Sequence, residues 1–253
     1  MSAENPLVSI ITPAYNASAD IEASIKSAIE QTYSNWEMLI TDDCSTDNTR
    51  EIILRYSNID PRVILLQNKV NSGPAEARNN SLNIAKGRYI AFLDSDDLWL
   101  PEKLESQIGY MNQKECGFCF TQYRRFVDLD ETGRLIDVPD KKITYSQLLK
   151  GNCIYTSTVL IDKEVSGEFK MTKTFYDDYV LWLELLKKGV HAYGLKKDLM
   201  RYRVRKGSVS RNKLNSAKEV WKLFRDEEQL PLIKRIWYFG HWGMHNVAKY
   251  SSF

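Results

Sequence analysis

The stretch Tyr89-Ile90-Ala91-Phe92-Leu93-Asp94-Ser95-Asp96-Asp97 runs an apolar segment directly into three carboxylates. A short apolar run bounded by polar residues reads as a buried strand. Carboxylates crowded at its tip oppose one another's ionisation. A divalent cation, hard and oxygen-seeking, removes that cost. The stretch therefore points to a metal site, and a metal at a strand end points to phosphate chemistry.

Toward the N-terminus, strand and helix patterns alternate. Leu7-Val8-Ser9-Ile10-Ile11-Thr12 reads as a strand stopped by Pro13, and Ile21, Ile25, Ala28 and Ile29 then recur at helical spacing. Trp36 to Thr41 is a second strand. Asp42-Asp43-Cys44-Ser45-Thr46-Asp47 follows, with Ser45 or Thr46 suited to cap a helix through Ile52, Ile53 and Tyr56. Val63 to Leu66 is a third strand. Gly73-Pro74 opens a helix that runs through Ala85 and is closed by Gly87. This alternation predicts a mainly parallel α/β sheet, Rossmann-like and flanked by helices. Ligands in such sheets bind at the carboxyl ends of the strands. Here those ends carry Pro13-Ala14-Tyr15-Asn16, Asp42-Asp43 and Asp94-Ser95-Asp96-Asp97.

The second half is less regular. Strands are expected near Phe118–Tyr123 and over Tyr155–Ile161, and a helix just after Asp177-Asp178. From Asn212 onward the pattern is two amphipathic helices separated near Leu230-Pro231. The expected organisation is a catalytic domain over 1–210, its nucleotide-binding half about 1–100 and its acceptor-binding half about 101–210, followed by a basic helical tail over 211–253.

Composition excludes several classes. At 253 residues, 43% hydrophobic and 27% charged, the chain is ordinary globular material. No apolar stretch nears the roughly 20 residues of a membrane span. The polar start Met1 to Pro6 lacks a basic leader, so the chain is expected to stay in the cytoplasm. The four cysteines are scattered and read as reduced thiols. With only three histidines, Ser-His-Asp chemistry has little support. Charge is unevenly placed: residues 1–200 sum to −6, and residues 201–253 to +8.

These motifs, in this order, resemble family 2 glycosyltransferases. Val8 to Asn16 is similar to the family's opening, and Gln31-Thr32-Tyr33, Asp42 to Asp47 and Gly73 to Asn79 also fit it. Asp94-Ser95-Asp96-Asp97 matches its DXD element. The resemblance is dense over residues 7–100 and looser over 175–210. It implies a GT-A fold and inverting transfer of a sugar from a nucleotide donor, here read as a UDP-sugar. By position, it implies that Pro13, Tyr15 and Asp43 surround the base and ribose, with Asp43 accepting from a base N–H. Arg78 would lie near the base or diphosphate, with Ser95 inside the same donor-binding motif. Asp94 would contact ribose or metal, and Asp96 would ligate a manganese or magnesium ion.

Inversion also needs a general base, a group typically worth about 10²–10⁴-fold. Phe175 to Trp182 resembles the family's acidic pair before an aromatic helix, which makes Asp178 the base by position. Asp177 stands where Glu is usual, one methylene shorter. Tyr202 to Ser210 resembles the segment that closes over the diphosphate. Arg205 replaces the His of many relatives there; it cannot ligate metal but can pair with phosphate. Cys44 replaces a more usual Gly.

The resemblance extends to bacterial enzymes that extend lipid-linked oligosaccharides for surface polysaccharide, with a hexose or N-acetylhexosamine moved to a polyprenyl-diphosphate-linked glycan. The tail holds three of the six tryptophans beside its Lys and Arg residues. Such helices often lie in a membrane interface, which here would be the inner face of the plasma membrane. Packing on the catalytic domain, or contact with a second copy of the chain, are the other readings, and the acidic body opposes nucleic-acid binding. Two other functions stay open: a sugar nucleotidyltransferase, and a non-catalytic nucleotide-sugar-binding module.

Overall fold

The computed structural model describes residues 5–126, 133–204 and 213–250. Their strands are β1 Val8–Ala14, β2 Trp36–Asp42, β3 Val63–Gln67, β4 Tyr89–Phe92, β5 Leu98–Trp99, β6 Phe118–Phe126, β7 Leu135–Ile136, β8 Lys142–Ile143, β9 Leu160–Asp162 and β10 Ala192–Arg203. The helices are α1 Ile21–Ile29, α2 Thr49–Ile59, α3 Pro74–Leu82, α4 Lys103–Lys114, α5 Tyr145–Lys150, α6 Lys163–Ser166, α7 Asp177–Lys187, α8 Lys213–Lys222 and α9 Leu232–Tyr250. The strands form one sheet in the order β3-β2-β1-β4-β9-β6-β10-β5, with β7 on β6 and β8 on β10.

The first half is the parallel unit that the alternation predicts: β2 and β4 flank β1, and β3 follows β2, all parallel. Antiparallel β9 then joins β4 to β6, so the second half is mixed. Alternate strand residues feed two cores, as the pleat requires. Ile10, Met38, Ile40 and Cys119 face one side, with α1, α2 and α4. Ile11, Leu39, Phe118 and Phe120 face the other, with α3, α5 and α7. Trp182 of α7 is fully buried against Phe92 and Phe118, with ring centroids 5.9 and 5.1 Å apart. That packing fixes the start of α7 near the end of β4.

Several boundaries differ from the sequence reading. Pro13 lies inside β1, where pairing with β4 has already ended at Ile11, and a residue without an N–H is tolerated at such an edge. Helix α3 stops at Leu82, and Gly87 serves a close approach instead. A Cβ there would lie 2.5 Å from the Ser9 backbone nitrogen. Neither Ser45 nor Thr46 caps α2, because Asp47 accepts from the Thr49 N–H at 3.0 Å. Thr156–Thr158 is a single 3₁₀ turn, and strand begins only at Leu160. The hydroxyls of Thr156 and Ser157 are engaged by the distant carboxylates Asp178 and Asp97, and that of Thr158 by the Tyr155 carbonyl.

After α8 comes a π-helical turn, Leu223–Glu227. Val220, Leu223 and Phe224 enter the same core cluster as α7, and Tyr238, Phe239 and Trp242 of α9 pack against it. The Glu228 carboxylate, 1% exposed, receives Lys187 at 3.0 Å and the Tyr145 hydroxyl. The described part of the tail thus has one face on the catalytic body. The four cysteines are free. Among the described residues, no helix is long and apolar enough to cross a membrane.

Candidate active site

The carboxyl ends of β1, β2 and β4 meet at one edge. The turns after β1 and β2 are tied together: Asn16 N–H donates to Ser45 Oγ at 3.0 Å, Thr46 N–H to Asn16 Oδ1 at 2.8 Å, and Asp43 N–H to Ala14 O at 2.8 Å. Cys44 keeps the left-handed conformation its position demands, at φ +66°. A residue with a Cβ adopts it at a cost of about 1–2 kcal/mol. Asp43 is buried and accepts from Asn68 Nδ2 at 2.6 Å and from the N–H groups of Ser72 and Gly73 at 2.9 and 2.8 Å. It thereby pins the loop that starts α3 against this edge. Tyr15 stands 51% exposed beside it, and Pro13 is half-buried.

Asp94, Ser95 and Asp96 are half-buried, whereas Asp97 is fully buried. Asp97 accepts from Ser157 Oγ at 2.6 Å and from the Arg203 N–H at 3.2 Å. Burial, then Asp96 and Asp94, hold its carboxyl well above the usual range. It belongs to the scaffold of the turn. Arg203, at the end of β10, also donates Nε–H to the Asp96 carbonyl at 3.1 Å and pairs with Asp20 at 3.1 Å.

Asp177 and Asp178 form the first turn of α7, where the helix dipole favours negative charge. Arg78, on the buried face of α3, bridges the two acidic groups. Its guanidinium meets Asp94 Oδ1 at 2.6 Å and Asp177 Oδ2 at 2.9 Å. In this arrangement Arg78 joins carboxylate to carboxylate. Asp178 accepts from the Tyr179 N–H at 2.6 Å and from Thr156 Oγ1 at 2.6 Å.

The electrostatics follow from this crowding. Burial, then Asp177, pushes Asp178 up to about 6. Burial also pushes Asp177 up, despite the Arg78 charge. Burial, then Asp94, pushes Asp96 up to about 6. A half-exposed carboxylate near 6 is ionised at neutral pH and more basic than an ordinary one, which suits proton abstraction.

Among the described residues, no three His, Cys, Asp or Glu side chains converge into a complete metal cage. Magnesium bound beside phosphates needs only one or two carboxylates, the substrate oxygens completing its shell. The donor set fits that pattern. Asp96 carries the repulsion a cation would relieve, and Asp94 has one oxygen beyond the Arg78 contact.

A parallel N-terminal half, an acidic turn at its central edge and a second acidic pair across from it form the arrangement of a GT-A-type glycosyltransferase. The chain belongs to glycosyl transferase family 2, whose sequence profile matches residues 9–169. It is 43% identical, over 96% of its length and 97% of the relative's, to TuaG of Bacillus subtilis (strain 168), named for a glycosyltransferase role in teichuronic acid biosynthesis. It is 40% identical, over 97% and 95%, to WfgD of Escherichia coli, a UDP-Glc:α-D-GlcNAc-diphosphoundecaprenol β-1,3-glucosyltransferase. Among solved structures, S. aureus TarS in complex with UDP-GlcNAc superimposes with a TM-score of 0.70 at 20% identity, over 92% of this chain and 70% of that one. The nucleotidyltransferase alternative falls with the family.

The structure brings Asp94, Asp96, Asp177, Asp178 and Arg78 to one place, with Pro13, Tyr15, Asp43 and Ser95 along the same edge. Arg205 lies outside the described residues. Thr156 and Ser157 escaped the sequence reading, and Arg203 was read only as part of the Tyr202 to Ser210 segment. The run of hydroxyls Thr156-Ser157-Thr158, inside what read as a buried strand, was the available signal.

Proposed function

We propose that this glycosyltransferase moves a hexose or N-acetylhexosamine, with inversion and with a divalent metal, from a UDP-sugar to a hydroxyl of a polyprenyl-diphosphate-linked glycan in surface polysaccharide synthesis. The observation that carries the reading is the Asp94–Arg78–Asp177 bridge. It joins a carboxylate turn suited to the leaving diphosphate with the acidic pair suited to the acceptor. Similarity to WfgD over nearly the whole chain supports the UDP donor and the lipid-linked acceptor.

Pro13, Tyr15 and Asp43 frame the nucleotide, with Ser95 beside the diphosphate. Asp96 and Asp94 would hold manganese or magnesium, which when bound would supply Lewis-acid stabilisation of charge on the departing diphosphate. Arg78 keeps Asp94 and Asp177 fixed relative to each other. Asp178 takes the proton from the acceptor hydroxyl as that oxygen attacks the anomeric carbon and the sugar–phosphate bond breaks. The exposed face of α9, with Ile233, Ile236, Trp237 and Met244 beside Lys234 and Arg235, supports peripheral contact with the inner face of the plasma membrane.

The test supplies purified protein with UDP-glucose or UDP-GlcNAc and a GlcNAc-diphospho-lipid, with manganese, magnesium or chelator. Transfer that needs the metal and inverts the anomeric centre is expected. Equal turnover in chelator, or a retained configuration, overturns the proposal.

A further inference from the structure

We propose that the single turn Thr156–Thr158 is the positioning element that holds the two ends of the reaction in register, Thr156 setting the Asp178 carboxylate and Ser157 setting the backbone of Asp94. The inference rests on the reading of Asp178 as the base.

Thr156 and Ser157 each hold a different part of the site, and Thr158 ties the turn to the scaffold. Thr156 Oγ1 donates to Asp178 Oδ2 at 2.6 Å. Ser157 Oγ donates to Asp97 Oδ2 at 2.6 Å and accepts from the Asp94 N–H at 3.0 Å. The Thr158 carbonyl accepts from Gln107 Nε2 at 2.9 Å, and Gln107 is itself held by the buried Lys103 at 2.6 Å. Trp99 Nε1–H donates to the Ser157 carbonyl at 2.7 Å, anchoring the turn to β5 just beyond the acidic turn. All three turn residues are buried, at 4% exposure or less.

The conformation explains how one short segment serves two carboxylate groups. A 3₁₀ turn has three residues per turn, so successive side chains diverge by roughly 120°. Thr156 can therefore face α7 while Ser157 faces the end of β4. In a strand, neighbouring side chains would point to opposite faces of the sheet. The β9 strand that follows pairs with β4 up to Ala91, and the Asp94 N–H to Ser157 Oγ bond carries that tie on to the acidic turn.

Thr156 has a specific effect on Asp178. Asp178 Oδ1 is held by the Tyr179 N–H, and Thr156 supplies the second fixed contact. Two contacts define the plane of the carboxylate and direct its remaining lone pairs. The charged groups facing Asp178 are Asp177 on α7 and Arg78 from α3. The Thr156 hydroxyl favours the ionised form beside them. Misplacement of a reacting group by about 1 Å costs on the order of 10²-fold in rate.

The experiment compares Thr156→Val, which keeps shape and loses the hydroxyl, with Thr156→Ser, which keeps the hydroxyl, and with Ser157→Ala. In Thr156→Val, kcat is expected to fall roughly 10–100-fold. Donor KM should stay unchanged, and the acidic limb of kcat/KM should move to higher pH by about 0.5–1 unit through loss of a hydrogen bond to the anion. Thr156→Ser should restore both. Ser157→Ala should instead weaken binding of UDP with manganese, read by calorimetry, and leave the acidic limb in place. A Thr156→Val enzyme with an unmoved limb and near-normal kcat overturns the proposal. So does Thr156→Ser as impaired as Thr156→Val, or one phenotype shared by the Thr156→Val and Ser157→Ala variants. Full turnover in Asp178→Asn would instead sink the base reading. An inactive Asp178→Asn beside an unaffected Thr156→Val sinks only the positioning role.

Discussion

Replacing Asp178 by asparagine should make the protein more stable while removing its activity. The Asp178 carboxyl sits near 6 in the fold, against an ordinary 3.8, because burial and then Asp177 oppose its charge. Each pH unit of such a shift corresponds to about 1.4 kcal/mol. The shift of roughly two units therefore sets an upper limit of about 3 kcal/mol, and the partial exposure of the side chain brings the figure to about 1–3 kcal/mol. The sign follows from where the proton sits. Below pH 3.8 the carboxyl is protonated in both folded and unfolded chains, and the charge penalty is absent. Between that value and about 6 the unfolded chain ionises first, and the penalty grows; above about 6 it is complete.

Asparagine never carries the charge and still offers an oxygen to the Tyr179 N–H, while the Thr156 hydroxyl can turn to accept from the amide. For a chain of this size, 1 kcal/mol moves Tm by roughly 2–4 °C. The variant should therefore melt roughly 2–12 °C higher at pH 7.5 and level with the parent near pH 4, read by thermal scans across that range. Turnover at pH 7.5 should fall by about 10²–10⁴-fold. A melting difference that ignores pH, or a variant less stable at pH 7.5, would refute the electrostatic account.

Two further outcomes test the surroundings. Arg78→Met leaves Asp94 and Asp177 without their shared buried partner, so it should cost about 3–5 kcal/mol in denaturant unfolding and abolish transfer. Arg78→Lys should rescue stability only in part, because an ammonium cannot fork across two carboxylates; a lysine variant matching the parent in both measurements refutes the bridge. On α9, Ile236 and Trp237 are each 58% exposed. Ile236→Asp with Trp237→Ala should leave melting unchanged but lower co-sedimentation with vesicles containing anionic lipid at least several-fold. Equal sedimentation would assign that face another role.

The parallel half was readable because its signals are local. Val8–Ile11, Met38–Ile40 and Tyr89–Phe92 are apolar runs, each followed by polar turn residues, and such runs in alternation with helices admit few arrangements. The acidic residues were readable for the same reason, since carboxylates at strand ends are costly without a purpose. What escaped depended on partners distant in sequence. Thr156 and Ser157 read as strand residues because β-branched threonines flank the serine and lead into the apolar run Val159–Ile161. Partners distant in sequence, Asp178 22 positions away and Asp97 60 away, hold their side chains in the turn. Arg78 was placed at the donor by motif position. Its bridge to Asp177 spans 99 positions and depends on α3 and α7 packing on one face of the sheet.

The same burial that costs the fold stability supplies the chemistry. Asp96 and Asp178 are both pushed to about 6, yet their remedies differ. In the proposed mechanism the Asp96 carboxylate borders the donor diphosphate, where a cation bound with the donor would favour its ionised form. In that mechanism the Asp178 carboxylate serves the acceptor, and any cation close enough to relieve it would also lower its basicity. Arg78 lies between them and binds Asp94 and Asp177, the inner member of each pair, rather than Asp96 or Asp178. It thus fixes one member of each acidic group and leaves Asp96 and Asp178, the groups proposed for the cation and the proton, without a direct ion pair to it. An arginine suits that position because its fixed fork reaches both partners without turning toward either reactive group.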